Sequence, residues 1–123
     1  MLTLGRIIGW LGAKGGVGTT TLAAGFAGLL CDHSDEAVCI LSLNWDPGKT
    51  MEAVLGIKVG RSVTECWQDQ SLWQTQAIAD YMVTAADGKI HHLSGPADEV
   101  VWQQTTCADV EKLIHLLSQI YPY

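Results

Sequence analysis

The sequence predicts an α/β domain in which helices flank a parallel sheet. Two short runs, over 6–11 and 37–43, are almost continuously apolar, which is typical of strands buried on both faces of such a sheet. A helical pattern lies between them, and the order strand, helix, strand is the βαβ unit of α/β folds. The chain of 123 residues is 48% hydrophobic and 16% charged, as expected of a globular domain with one core.

The first predicted strand, 6–11, runs directly into a glycine-rich segment, and a helix follows over 20–31. Apolar residues recur there at three- and four-residue spacing and form one face. They are Leu22, Ala23, Phe26, Ala27 and Leu30. Gly25 and Gly28 lower the helix propensity, so we expect them to permit close packing on the sheet. The crossover to the second strand should be right-handed.

The chain beyond the second strand is less regular until its last helix. A polar loop over 32–36 precedes that strand. The later predicted elements are short helices over 50–55, 62–67 and 71–82, and a third strand over 89–93 that is closed by Ser94-Gly95-Pro96. Thr106 with Asp109 resembles a capping box, although the usual partner is Glu or Gln, and a helix with an apolar stripe follows. The stripe consists of Val110, Leu113, Ile114, Leu117 and Ile120.

Charge and cysteine content exclude several classes of protein. Seven Lys and Arg against thirteen Asp and Glu give a net charge of −6, which argues against an autonomous nucleic-acid-binding domain. The four cysteines form no CxxC pair, so we expect reduced thiols in a cytoplasmic protein rather than a zinc site. They are Cys31, Cys39, Cys66 and Cys107. No targeting pattern and no apolar stretch near the roughly 20 residues of a membrane span is apparent.

The glycine-rich segment has the position and composition of a phosphate-binding loop. It lies between a buried strand and a helix and reads Ala13-Lys14-Gly15-Gly16-Val17-Gly18-Thr19-Thr20. Standard loops read G-x-x-x-x-G-K-[ST], because glycine amides can turn inward around an anion at the positive end of the helix. Thr20 stands where a hydroxyl coordinates Mg²⁺. A glycine-rich turn without a ligand is the alternative.

Two positions depart from that pattern. Ala13 replaces the first glycine, which is a mild change, whereas Thr19 replaces the lysine that reaches the β- and γ-phosphates. Lys14 supplies a cation earlier on the same loop. Losing a lysine from a phosphoryl-transfer site removes stabilisation of the transition state on the order of several kcal/mol. We therefore expect nucleotide binding to survive better than hydrolysis.

The stretch KGGVGTTTLA resembles the deviant Walker A motif of the MinD/ParA family of ATPases, K-G-G-x-G-K-[ST]. The resemblance implies a three-layer P-loop NTPase-like parallel sheet with ATP and Mg²⁺ as cofactors. It also implies that Lys14 contacts the nucleotide of a partner subunit in a homodimer, and that Thr20 binds the metal. The nucleotide-binding residues so implied are Lys14, Gly15, Gly16, Val17, Gly18, Thr19, Thr20 and Thr21.

Threonine in place of the second lysine is similar to the CpaE/TadZ branch of that family, which is associated with pilus assembly and polar localisation. A second motif, Asn44-Trp45-Asp46-Pro47-Gly48, resembles the family's D-x-D-P-Q. Asp46 matches the aspartate that positions the attacking water or the Mg²⁺ shell, whereas Asn44 departs from the pattern. The resemblance thus implies Lys14 and Asp46 as catalytic residues. A plain turn is the alternative reading of the second motif.

The resemblance also predicts a Walker B strand after Tyr123, so residues 1–123 are expected to be the N-terminal part of a single P-loop domain. We expect the gap to be closed by direct strand pairing or by association with another copy. The full-length protein would be an ATPase that positions a protein partner such as a pilus or secretion machine, with weak or no hydrolysis in this part. Alternatives are a non-hydrolysing localisation scaffold and a chromosome or plasmid partitioning ATPase. Nothing in these residues indicates nucleic-acid or membrane binding.

Two of the histidines and three of the tryptophans are predicted to have structural rather than catalytic roles. His91 and His92 are adjacent on a predicted strand, so they should point to opposite faces and cannot chelate one ion together. Trp67, Trp73 and Trp102 are expected to pack in the core, with a partner surface as the alternative. The sequence shows no matched nucleophile and base for acyl transfer.

Overall fold

A computed structural model describes residues 4–12, 18–44, 48–68, 78–97 and 99–123. Its helices are α1 (Thr19–Asp32), α2 (Thr50–Leu55), α3 (Val63–Gln68), α4 (Glu99–Gln104) and α5 (Cys107–Ile120). Its strands are β1 (Val38–Leu41), β2 (Val83–Ala85) and β3 (Ile90–Leu93), and a 3₁₀ turn covers Ile78–Tyr81. The fold is therefore α/β, as predicted.

The three strands form one sheet in the order β1-β3-β2. β1 and β3 are parallel, with Val38 opposite Ile90 and Leu41 opposite Leu93, so the predicted parallel pairing is present. β2 is antiparallel to β3, because the short turn between them can only return the chain beside itself. Ala86, Asp87 and Gly88 all have positive φ in this turn. β2 was not predicted, although Asp-Gly before an apolar run is a hairpin signal.

The predicted strand over 6–11 is wrong. Residues 4–12 form no regular structure, and the side chains of Ile7 and Leu11 are 66% and 97% exposed. Gly5 N–H donates to the Ser118 carbonyl at 2.7 Å, and Arg6 N–H donates to the Pro122 carbonyl at 2.8 Å. An apolar run becomes a strand only where a partner backbone follows it along its length. The apolar pattern shows that this segment is suited to burial. It does not show whether a neighbouring strand is present to pair with it.

Both long helices form where the sequence predicts them, but the packing predicted for one of them is wrong. α1 covers the predicted 20–31, and α5 begins at a complete capping box, in which Thr106 and Asp109 exchange side-chain hydrogen bonds with each other's backbone N–H. The expected close packing at Gly25 and Gly28 is wrong, since a Cβ at either position would meet nothing within 4 Å. These glycines lie on a face of α1 that the described residues leave open.

The shorter elements follow the prediction less closely. α2 covers the predicted 50–55 and ends at Gly56, whose φ of 68° is the left-handed conformation of a helix C-terminus. α3 and β3 agree within one residue of the predicted ranges. Of the helix predicted over 71–82, residues 71–77 lie outside the described residues, and 78–81 form the 3₁₀ turn. α4 was not predicted.

The buried side chains form two clusters on opposite faces of the sheet. The smaller cluster consists of Ala27, Cys31, Val38 and Ile90, and it places α1 on one face. The larger cluster joins Leu93 to α3, the 3₁₀ turn and α5; its α5 members are Leu113, Leu116 and Leu117. Neighbouring residues of β1 alternate between the clusters, as strand geometry requires.

In the described part of the chain, no helix has both the length and the apolarity that crossing a bilayer requires. None of the four cysteines, all of which lie in the described residues, forms a disulfide. Cys31 and Cys66 are buried, Cys39 is half-buried, and Cys107 is exposed at the start of α5.

Candidate functional site

The first turn of α1 has the geometry that the loop motif requires of its last residues. Gly18 caps the helix with φ 84° and ψ 18°, a left-handed conformation that glycine adopts without a Cβ penalty. Leu22 N–H donates to the Gly18 carbonyl at 3.0 Å, so the first intrahelical bond starts there. Amides before that point have no acceptor within the helix and carry the positive end of its dipole. Thr19 and Thr20 are half-buried, and Thr21 is exposed.

Lys14, Gly15, Gly16, Val17 and Asp46 lie outside the described residues. Their roles therefore stay predictions from the sequence.

A small polar cleft of about 30 Å³ lies beside Thr20, at the carboxyl ends of β1 and β3. It is lined by Thr20, Ser42, Asn44, Lys49, Met51, Glu52 and Gly95. Open α/β sheets bind ligands at this edge. Thr20, the predicted metal ligand, and Asn44, from the second motif, therefore face one space.

Gly95 lets the ends of the two strands approach each other. A Cβ at this position would lie 2.8 Å from the Asn44 carbonyl oxygen, closer than real Cβ atoms approach an oxygen. Any other residue would push the end of β3 away from the segment after β1. The glycine thus defines the floor of the cleft.

Behind the cleft lies a buried polar cluster of Ser42, His92 and Glu52. His92 is 1% exposed and Glu52 is 4% exposed. His92 Nε2 lies 2.9 Å from Ser42 Oγ, and His92 Nδ1 lies 3.8 Å from Glu52 Oε1. The second distance is too long for a hydrogen bond, and Nδ1 has no hydrogen-bond partner among the described residues.

The protonation of His92 follows from these distances and from burial. Desolvation lowers the pKa of His92, Glu52 partly opposes that shift, and Lys49 adds to it. The ring is therefore neutral near pH 7. The tautomer with its proton on Nδ1 points an N–H at the Glu52 carboxylate and lets the Ser42 hydroxyl donate to Nε2, so it is the favoured one.

Ser42 and His92, which lie 50 residues apart in the sequence, are in hydrogen-bond contact. The cleft bordered by Ser42 has room for little more than water, whereas substrate pockets have volumes of hundreds of Å³. The cluster is therefore a buried polar network rather than an acyl-transfer centre. Ser42, Lys49 and Glu52 were missed because only the fold brings them to Thr20.

The histidine and tryptophan predictions are tested where the side chains are described. His91 and His92 do point to opposite faces: His91 Nδ1 lies 2.7 Å from the Tyr121 hydroxyl, on the side of the larger cluster. Trp102 is half-buried and packs against that cluster, which confirms its predicted core role. The side chains of Trp67 and Trp73 lie outside the description.

Four of the side chains that line the cleft carry oxygen donors, and the ammonium group of Lys49 lines it as well. Thr20 and Ser42 offer hydroxyl oxygens, Asn44 an amide oxygen and Glu52 a carboxylate. Mg²⁺ prefers oxygen ligands of this kind.

Comparison with known proteins supports the fold. No family model matches the sequence, and no curated protein matches it. The structure titled "Crystal Structure of ParA Family ATPase from Chlorobium tepidum TLS" is similar, with a TM-score of 0.82 and 20% sequence identity. The match covers 98% of this chain and 49% of that one, so the chain spans about half the length of that protein. This likeness establishes the fold: the chain folds like about half of a ParA family ATPase.

Proposed function

We propose that this chain is the nucleotide-binding part of an ATP-binding P-loop protein of the MinD/ParA type, nearest the CpaE/TadZ branch. One observation carries the proposal. In a chain with a ParA-like fold, Gly18 and Thr20 begin α1 beside the carboxyl ends of β1 and β3, where such a sheet binds its ligand. The sequence before Gly18 is the glycine-rich motif itself.

The proposed roles follow the chemistry of each group. The amides of the loop and of the first turn of α1 hold phosphate oxygens, and the Thr20 hydroxyl faces Mg²⁺. When bound with ATP, Mg²⁺ neutralises phosphate charge. Lys14 reaches the nucleotide of a second copy, and Asp46 orients a water molecule or the metal shell. The roles of Lys14 and Asp46 rest on the sequence motifs.

Hydrolysis is expected to be slow, because Thr19 carries no ammonium group at the position that normally stabilises the transferring phosphoryl group. The proposed protein therefore works mainly as a nucleotide-dependent homodimer in the cytoplasm. In that state it would position a protein partner such as a pilus or secretion machine. A Walker B strand outside residues 1–123 would add a further parallel strand to this sheet and complete a three-layer arrangement.

A non-hydrolysing localisation scaffold is the second candidate, and Thr19 is the observation that favours it. Chromosome or plasmid partitioning has less support, because the net charge of −6 provides no general attraction for DNA.

Titration of a fluorescent ATP analogue into the full-length protein, with Mg²⁺ and with EDTA, tests the proposal. We expect saturable, Mg²⁺-dependent binding that is weakened about tenfold or more by Lys14→Ala. Lys112→Ala is the matched control, since Lys112 is exposed on α5, away from the cleft. Absence of saturable binding, with Lys14→Ala behaving like the parent, would instead favour the scaffold.

A further inference from the structure

The cleft beside Thr20 contains a carboxylate that neither loop motif anticipates. Glu52 belongs to α2, which packs against α1, and it lines the cleft together with Thr20 and Asn44. Its side chain is only 5% exposed. A carboxylate this deeply buried is costly unless a cation or several hydrogen-bond donors compensate its charge.

The described residues place no cationic group within hydrogen-bond distance of the Glu52 carboxylate. Its ion-pair partner among the described residues is His92, and the 3.8 Å between Glu52 Oε1 and His92 Nδ1 exceeds hydrogen-bond length. His92 Nδ1 in turn has no hydrogen-bond partner there. Lys49 lines the same cleft, but its ammonium group does not come within ion-pair distance of the carboxylate.

We propose that Glu52 is a metal-facing carboxylate, which together with the Thr20 hydroxyl holds Mg²⁺ in this cleft. The inference rests on the proposed function and adds to it a metal ligand outside both motifs. It accounts for a buried carboxylate beside a hydroxyl at the edge of the sheet where ligands bind. It also provides a negative charge close to Asn44, a neutral residue in the second motif.

The rest of the cleft is consistent with this assignment. His92 lies behind Glu52, and its ring is held there by the 2.9 Å contact between Nε2 and Ser42 Oγ. Lys49 lines the same cleft, so its ammonium group would face a phosphate that accompanies the metal.

Binding of Mn²⁺, a spectroscopic substitute for Mg²⁺, tests the proposal without nucleotide. Electron paramagnetic resonance of the full-length protein should show bound Mn²⁺ that excess Mg²⁺ displaces. Glu52→Gln, which keeps the shape and removes the charge, should weaken Mn²⁺ affinity about tenfold or more. Glu111→Gln, on the exposed face of α5, should leave the affinity unchanged.

Thermal unfolding gives a second readout and controls for folding. Mg²⁺ should raise the Tm of the parent and of Glu111→Gln but not that of Glu52→Gln. Without metal, Glu52→Gln should be as stable as the parent or more stable, because a buried charge has been removed. Should Glu52→Gln fail to fold, Thr20→Val is the second variant, with the same expected loss of metal affinity.

The outcomes separate this proposal from the nucleotide proposal. Equal Mn²⁺ affinity in the parent and in a folded Glu52→Gln variant overturns the role of Glu52, even if ATP binds. Loss of Mn²⁺ affinity in Glu52→Gln supports that role, even if no ATP analogue binds, in which case only the nucleotide proposal fails. If the parent shows no bound Mn²⁺ and no Tm increase with Mg²⁺, with or without ATP, the metal site is overturned.

Discussion

Gly95 and Gly25 play different structural roles. The first follows a predicted strand and the second lies within a predicted helix, and the sequence alone does not distinguish their roles. At Gly95, a Cβ would lie 2.8 Å from the Asn44 carbonyl oxygen. At Gly25, in the middle of α1, a Cβ would meet nothing within 4 Å. The first glycine is therefore required by a close approach of two backbone segments, whereas the second only weakens its helix.

Alanine substitution at these glycines should change stability in opposite directions. Gly95→Ala is expected to lower the free energy of unfolding by about 1–3 kcal/mol, because the backbone after β1 must move. Gly25→Ala is expected to raise it by about 0.5–1 kcal/mol through helix propensity alone. Urea unfolding at pH 7 measures both. Equal effects of the two variants would contradict the close contact at Gly95.

The helix α5 shows how a local signal specifies an element. The Thr106 hydroxyl accepts from Asp109 N–H at 3.2 Å, and the Asp109 carboxylate accepts from Thr106 N–H at 3.0 Å. These bonds satisfy amides that the helix itself leaves without acceptors. The pKa of Asp109 is lowered, chiefly because its ionised carboxylate accepts from the Thr106 backbone N–H and, to a smaller extent, because it interacts with the Thr106 side chain.

Removing the cap should destabilise the protein in a pH-dependent way. Asp109→Ala, which removes the carboxylate that accepts from Thr106 N–H, is expected to lower the free energy of unfolding at neutral pH. Because the folded pKa of Asp109 lies below its ordinary value of 3.8, its contribution is complete well above that value and is lost as the pH falls through the folded pKa. Thermal unfolding from pH 7 to about pH 2.5 should therefore show the parent and the variant converging in acid. A constant difference over this range would contradict the reciprocal cap.

At the scale of the whole molecule, the accessibility of the four thiols indicates how well the core is shielded from solvent. Burial raises the pKa of Cys39 to about 12, so almost no thiolate is present there at neutral pH. Cys31 and Cys66 are buried in the two core clusters, and Cys107 is exposed.

Alkylation should distinguish these sites. Under native conditions at about pH 7.5, iodoacetamide should modify Cys107 first, and the other three thiols should react only after unfolding in urea. Mass spectrometry of digested protein gives the extent at each site. Early modification of Cys31 or Cys66 would show that the core clusters open more readily than their packing implies.

The parts of the fold that were predictable from sequence are those whose signals are local. The apolar spacing of α1, the cap of α5 and the apolar run of β3 each lie within a short window, and each element formed. The run over 6–11 failed because strand formation depends on a partner elsewhere in the chain. The same reason applies to the site: Gly18 and Thr20 belong to a motif, whereas Glu52 reaches Thr20 only through the packing of α2 on α1.

The extended segment 121–123 links the beginning of the chain to its sheet. Arg6 and Cys39 donate to consecutive carbonyl groups, those of Pro122 and Tyr123, at 2.8 and 3.0 Å. Without the segment 121–123 both amides would lose their acceptors, and each loss would lower the free energy of unfolding by about 1 kcal/mol. The backbone at Arg6 is thus held against the segment 121–123, so a substitution that displaces this segment should also disturb the first described residues.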